Sequence, residues 1–232
     1  MELLDDAITA LRQREVLDRL ESLVRQVYRR AAERHEPALG DDAMSFGTLV
    51  WRNLTNLAVA EFAERPGVGA RIVGNSLEIL CAGYILRLYS LPGGLDSNVE
   101  SIRWEGSEVR LGGAVENSEG IHVAFDEDET LAPVFSGIVP PKRHLRAAHA
   151  GDLETGEAIA YLGFPRDNRD GGSPWFDITR WFGQPPAQHG AEPVNGARPA
   201  ATVRHDELPL PELDVRPRID RYPGGQIADR NS

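Results

Sequence analysis

The chain has 232 residues, a formal net charge of −11, 41% hydrophobic residues and 26% charged residues. That is long enough to bury a sizeable core and too apolar to be wholly disordered. No run approaches the roughly 20 uninterrupted apolar residues that span a bilayer. Met1 to Asp6 lacks the basic start and apolar stretch of a secretory leader. Cys81 is the single cysteine, so no intrachain disulfide forms. A cytoplasmic protein is expected.

The first 36 residues predict one long amphipathic helix. Leu4, Ile8 and Leu11, then Leu17, Leu20, Val24, Val27 and Ala31, recur at three- and four-residue steps. The register slips between Arg12 and Glu15, where a break is allowed, and Pro37 with Gly40 ends the pattern. A second helix is predicted from Asp42 to Ala63 on the stripe Phe46, Leu49, Val50, Leu54, Leu57, Ala58 and Phe62. Asn53 and Asn56 fall within that stripe and, if buried, need hydrogen-bond partners.

From Ala70 to Leu91 the apolar period changes to two. Arg71–Val73, Leu77–Cys81 and Tyr84–Tyr89 read as strands joined by the short turns Gly74-Asn75-Ser76 and Ala82-Gly83. Val99 to Trp104 reads as a further strand. Ser107 to Asn117 fits either a short helix or a strand broken by Gly112-Gly113, and Ile121–Phe125 alternates like a strand. Leu145–Ala150, Ala158–Phe164 and Trp175–Trp181 predict a second antiparallel group. Helices followed by meanders give an α+β fold: two N-terminal helices packed on a mainly antiparallel sheet, in one domain over 1–184. Half of the 16 prolines lie from Pro185 onward, without apolar period, so 185–232 is expected to be a disordered or extended tail. Leu208 to Pro211 within it suits a short polyproline segment.

Charge is unevenly spread. Residues 1–36 and 185–232 are each near neutral, whereas Leu95 to Ala132 holds ten acids against Arg103 and Arg110. Those acids are Asp96, Glu100, Glu105, Glu108, Glu116, Glu119, Asp126, Glu127, Asp128 and Glu129. Such a field repels phosphate backbones and attracts basic surfaces, which argues against direct nucleic-acid binding through this segment.

Catalytic spacing is sparse. His144, His149, Asp152, Glu154 and Glu157 are the best group of titratable residues. Two histidines five apart on a strand point to opposite faces, however, and no H-E-x-x-H occurs. Asp126 to Glu129 lacks the spaced ligands and glycine of a calcium loop. Neither Gly67-Val68-Gly69 nor Gly172-Ser173 forms a phosphate-binding loop, no G-x-S-x-G elbow exists, and Lys142 lacks the carboxylate of a nuclease E-x-K arm. Cys81, on an apolar strand without a basic neighbour, is expected to be a buried, inert thiol. No metal or cofactor is expected.

Three passages carry a diffuse resemblance: Arg52-Asn53-Leu54; Asn75–Ile79 leading into Leu86–Tyr89; and His144-Leu145 through His149–Asp152 to Tyr161-Leu162-Gly163. Together, over 15–182, the chain resembles uncharacterised α+β proteins encoded beside regulators that join a helix-turn-helix domain to a metallopeptidase-like domain, in toxin–antitoxin or defence pairs. The resemblance implies a partner, not a chemistry, and assigns no functional residues. The leading expectation is a protein-binding component whose acidic residues Glu100, Glu105, Glu108 and Asp126–Glu129 engage a basic or DNA-binding partner. The alternative is a toxin-like hydrolase or nuclease built around His144, His149 and Asp152.

Overall fold

The computed structural model describes residues 2–120 and 140–184, an α+β arrangement with four α-helices and a six-stranded, mainly antiparallel sheet. The expected strand at Ile121–Phe125, the acids Asp126 to Glu129 and the tail from Pro185 lie outside the described residues. No helix among the described residues is long and apolar enough to cross a membrane.

The predicted first helix is two helices, α1 (Glu2–Gln13) and α2 (Val16–Ala32), so three helices precede the sheet where two were expected. The reason is the six-residue step from Leu11 to Leu17, which a continuous helix of 3.6 residues per turn sends to diverging faces. Glu15, at a left-handed φ of 56°, makes the break, and Leu11, Val16 and Leu17 are then all fully buried. Arg65 clamps the joint, donating to the Arg14 carbonyl at 2.9 Å and pairing with the Glu15 carboxylate.

The third helix, α3 (Ala43–Phe62), starts at a capping box. Asp42 Oδ1 accepts from the backbone N–H groups of Met44 and Ser45 at 2.9 and 2.8 Å, and Ser45 Oγ accepts from Asp42 N–H at 3.0 Å. Asn56 is exposed and Asn53 half-buried; the polar side chain that α3 does bury is Thr55.

Strands β1 (Val68–Val73), β2 (Ser76–Cys81) and β3 (Tyr84–Ser90) form the predicted meander. Strands β4 (His144–Gly151), β5 (Ala158–Pro165) and β6 (Trp175–Phe182) are antiparallel to one another, as expected. They do not form a separate group. β4 runs parallel to β3, giving one sheet in the order β1-β2-β3-β4-β5-β6. Parallel neighbours need a long crossover, and the chain between β3 and β4 supplies it. This connection holds three 3₁₀ turns (Gly94–Asp96, Val99–Ser101, Trp104–Gly106) and α4 (Glu108–Glu119).

Val99 to Trp104 is therefore not a strand. The Asn98 side chain accepts from Glu100 N–H at 2.9 Å and turns the chain, while Trp104 is buried with its indole donating to the Pro174 carbonyl at 3.0 Å. Over Ser107 to Asn117 the helix prevails.

Alternate β4 residues enter two cores. Leu145 and Ala147 share one with Leu17, Val24 and Leu54 of the helices; Ala148 and Ala150 share the other with Trp104, Ala114 and Trp175. Trp104 meets Trp175 edge-on at 5.1 Å between ring centroids. Cys81 is fully buried, and burial pushes its thiol up to about 11, which fits an inert thiol.

Candidate functional site

A row of charge crosses the sheet. Arg71, Glu78, Arg87 and Arg146 stand directly opposite one another on β1, β2, β3 and β4. Glu78 has no exposure, and Arg71 Nε and Arg87 Nε donate to its two carboxylate oxygens at 2.9 Å each. Among the described residues, Arg146 touches no carboxylate. It donates to the carbonyls of Leu145, Val109 and Arg110, each at 3.3 Å, so two of its three acceptors belong to the first turn of α4. Burial, followed by the positive charges of Arg87 and Arg110, lowers its pKa to about 9. The hairpin turns fix these pairings, so the Arg71–Glu78–Arg87 part was readable from the turn lengths. The crossover hid Arg146.

His144 belongs to the same side of the sheet. Its Nε2 lies 2.8 Å from Glu116 Oε2 of α4, and Arg143 Nη2 donates to that oxygen at 3.2 Å. Burial lowers the His144 pKa against the opposing pull of Glu116. Burial raises the Glu116 carboxyl, but contacts with His144 and Arg143 outweigh it and bring the pKa down to about 2. Asn117 locks the strand start, accepting from His144 N–H at 3.1 Å and donating to the His144 carbonyl at 2.8 Å.

His149 belongs to the other face. Its Nδ1 lies 2.9 Å from the hydroxyl of Tyr28 on α2, and burial alone lowers its pKa to about 4. Burial also raises the Tyr28 phenol far above its ordinary value, with a hydrogen bond from Ser90 offsetting part of the rise. Asp152 forms a turn. Its Oδ1 accepts from Thr155 N–H at 2.7 Å, Glu154 N–H at 3.0 Å and Thr155 Oγ1 at 3.0 Å, and these bonds hold its carboxyl below the usual range. Glu154 and Glu157 are exposed. His144, His149 and Asp152 thus occupy three different environments and do not converge on one cleft. Among the described residues, no cluster of three or more His, Cys, Asp or Glu is placed to hold a metal.

The described acids of the central segment divide clearly. Glu116 is consumed by Arg143 and His144. Asp96, Glu100, Glu105, Glu108 and Glu119 are exposed and, among the described residues, make no ion pair; Glu100 accepts only from Ser173 Oγ, at 2.9 Å. All five stand on the crossover that contributes Trp104 and Ala114 to the second core. Sequence reasoning missed Tyr28, Ser90 and Arg110, whose roles depend on which elements meet. Comparison with protein-family models, with curated proteins and with solved structures finds no match to this chain.

Proposed function

We propose that this protein works by binding another protein, and that the exposed carboxylates of the crossover engage a basic partner such as a DNA-binding regulator. One observation carries the reading: five carboxylates between Asp96 and Glu119 face solvent without an ion pair among the described residues. The arginines of the sheet are committed elsewhere, Arg71 and Arg87 to Glu78, Arg143 to Glu116 and Arg146 to backbone carbonyls, while Arg110 of the crossover lies over the Tyr89 ring. Arg169 offsets part of the charge of Glu105 and Glu119 without an ion pair, and the remaining outer negative charge is left to meet an opposite surface. Unscreened surface charge of one sign accelerates encounter with complementary surfaces and is weakened by salt. The placement of His144 and His149 on opposite faces of the sheet favours this reading over shared proton or metal chemistry at those residues.

The test is affinity capture with the full chain at low salt, repeated with a variant carrying E100Q, E105Q, E108Q and E119Q together. Glutamine keeps the shape and the Ser173 contact while removing four charges. The proposal expects a basic protein retained by the native chain and lost by the variant. Recovery of no stable partner, or equal retention by both chains, contradicts it.

A further inference from the structure

A small cavity of about 110 Å³ opens between α3, the β1–β2 turn, the end of β3 and the first turn of α4. Its volume equals that of about four liquid waters. It is too small for a nucleotide or any drug-sized molecule, which occupy several hundred Å³. Val50, Leu54, Leu77 and Leu88 supply apolar wall, and the Trp51 indole is fixed beside them by donating to the Asn75 carbonyl at 3.0 Å.

Asn75, Ser76 and Ser90 add polar lining, and three further residues bear on what the space can hold. His149, 4% exposed, lines it. Nδ1 is taken by Tyr28, and no described residue engages Nε2. Where the Tyr28 phenol donates to Nδ1, a neutral ring carries its own proton on Nε2, free to donate into the cavity. Thr55, 3% exposed, also lines the cavity, with its hydroxyl unengaged among the described residues. Arg110 forms part of the wall, its guanidinium held over the Tyr89 ring at 4.6 Å and paired with no described carboxylate. No acid among the described residues lines the space.

A buried N–H donor, a hydroxyl and an uncompensated guanidinium around an apolar recess favour an anion with a short hydrocarbon part. We infer that the cavity binds a small organic carboxylate of about propionate size, its alkyl part against Trp51 and the leucines and its oxygens toward Arg110, His149 Nε2 and Thr55. This site is independent of the acidic crossover face, because it uses none of those carboxylates.

The experiment titrates the full chain at neutral pH with propionate, and with propionamide as a neutral isostere, while following the imidazole nitrogens of His149 and the indole N–H of Trp51 by NMR. Propionate is expected to give saturable shifts at both residues, propionamide none, and R110Q at least about tenfold weaker binding from loss of the charge-assisted contact. A second variant, G47L, adds bulk at a lining position: a Cβ at Gly47 meets nothing within 4 Å, so the added side chain is accommodated without a clash at its base. G47L is expected to abolish the shifts while its thermal unfolding stays cooperative. The inference is overturned by the absence of saturable shifts, by propionamide binding as tightly as propionate, or by R110Q binding unchanged.

Discussion

His144 and His149 share one strand yet lie on opposite faces of the sheet, the first against Glu116 of α4 and the second against Tyr28 of α2. Each is buried by a different layer, and each is tied to a different chemistry. His144 contacts the charged Glu116 whereas His149 hydrogen bonds to the neutral Tyr28 hydroxyl, so acid should affect the two through different partners.

For His149 the pH dependence follows from its lowered pKa. The unfolded chain takes up a proton near the ordinary 6.5, whereas the folded chain resists until about 4. The unfolded state therefore binds more protons between those values, and stability falls as pH drops through that window. The loss levels off below pH 4 at about 3 kcal/mol from this residue. Denaturant unfolding from pH 7 to pH 4 should show that drop in the native chain and a smaller one in H149Q, which has no group to titrate. Equal slopes for the two chains would contradict the assignment.

Tyr28 is held both by its hydroxyl and by its ring. Y28F removes the partner of His149 Nδ1 and should cost about 1–3 kcal/mol, the price of one buried polar group left unsatisfied. G151A should be worse, because the new Cβ would overlap the Tyr28 ring itself. Chemical denaturation ranks the two; a milder G151A would show that the β4 end can move away from α2.

Adjacent glycines in α4 should respond with opposite signs. A Cβ at Gly112 meets nothing within 4 Å, so G112A should stabilise the helix by up to about 1 kcal/mol. A Cβ at Gly113 would lie 2.9 Å from Arg146 Nη2 and 3.0 Å from His144 Nδ1. G113A should therefore destabilise, and its effect should be visible as a displaced His144 imidazole resonance.

Much of this was legible in the sequence and some was not. Local pattern located α3, its stop, the β1–β3 meander and the strands around Leu145, Ile159 and Trp175, because hydrophobic period and turn residues act within a few positions. The break at Glu15 was visible as a slip in leucine spacing, but only the clamp by Arg65, fifty residues away, shows how it is held. The parallel β3–β4 pairing had no local signal, since it depends on a crossover of more than fifty residues. With that pairing hidden, so was the row ending at Arg146. The opposite orientation of the two histidines did follow from strand parity alone. What sequence could not supply was their partners, Glu116 and Tyr28, which come from helices on either side.

Glu78 is the one carboxylate in the charged row. E78Q keeps the shape but removes the counter-charge that Arg87 meets inside the sheet, and should cost about 3–5 kcal/mol. Thermal unfolding checks this, and a loss under 1 kcal/mol would show that the row is hydrated rather than dry.

The claim that negative charge on the crossover serves recognition is tested most directly by kinetics. Once the captured partner is purified, its association rate with the native chain and with the fourfold glutamine variant is measured across a salt series. A rate that falls steeply with salt for the native chain, and starts low and changes little for the variant, is the predicted outcome. Two superimposable curves would contradict it.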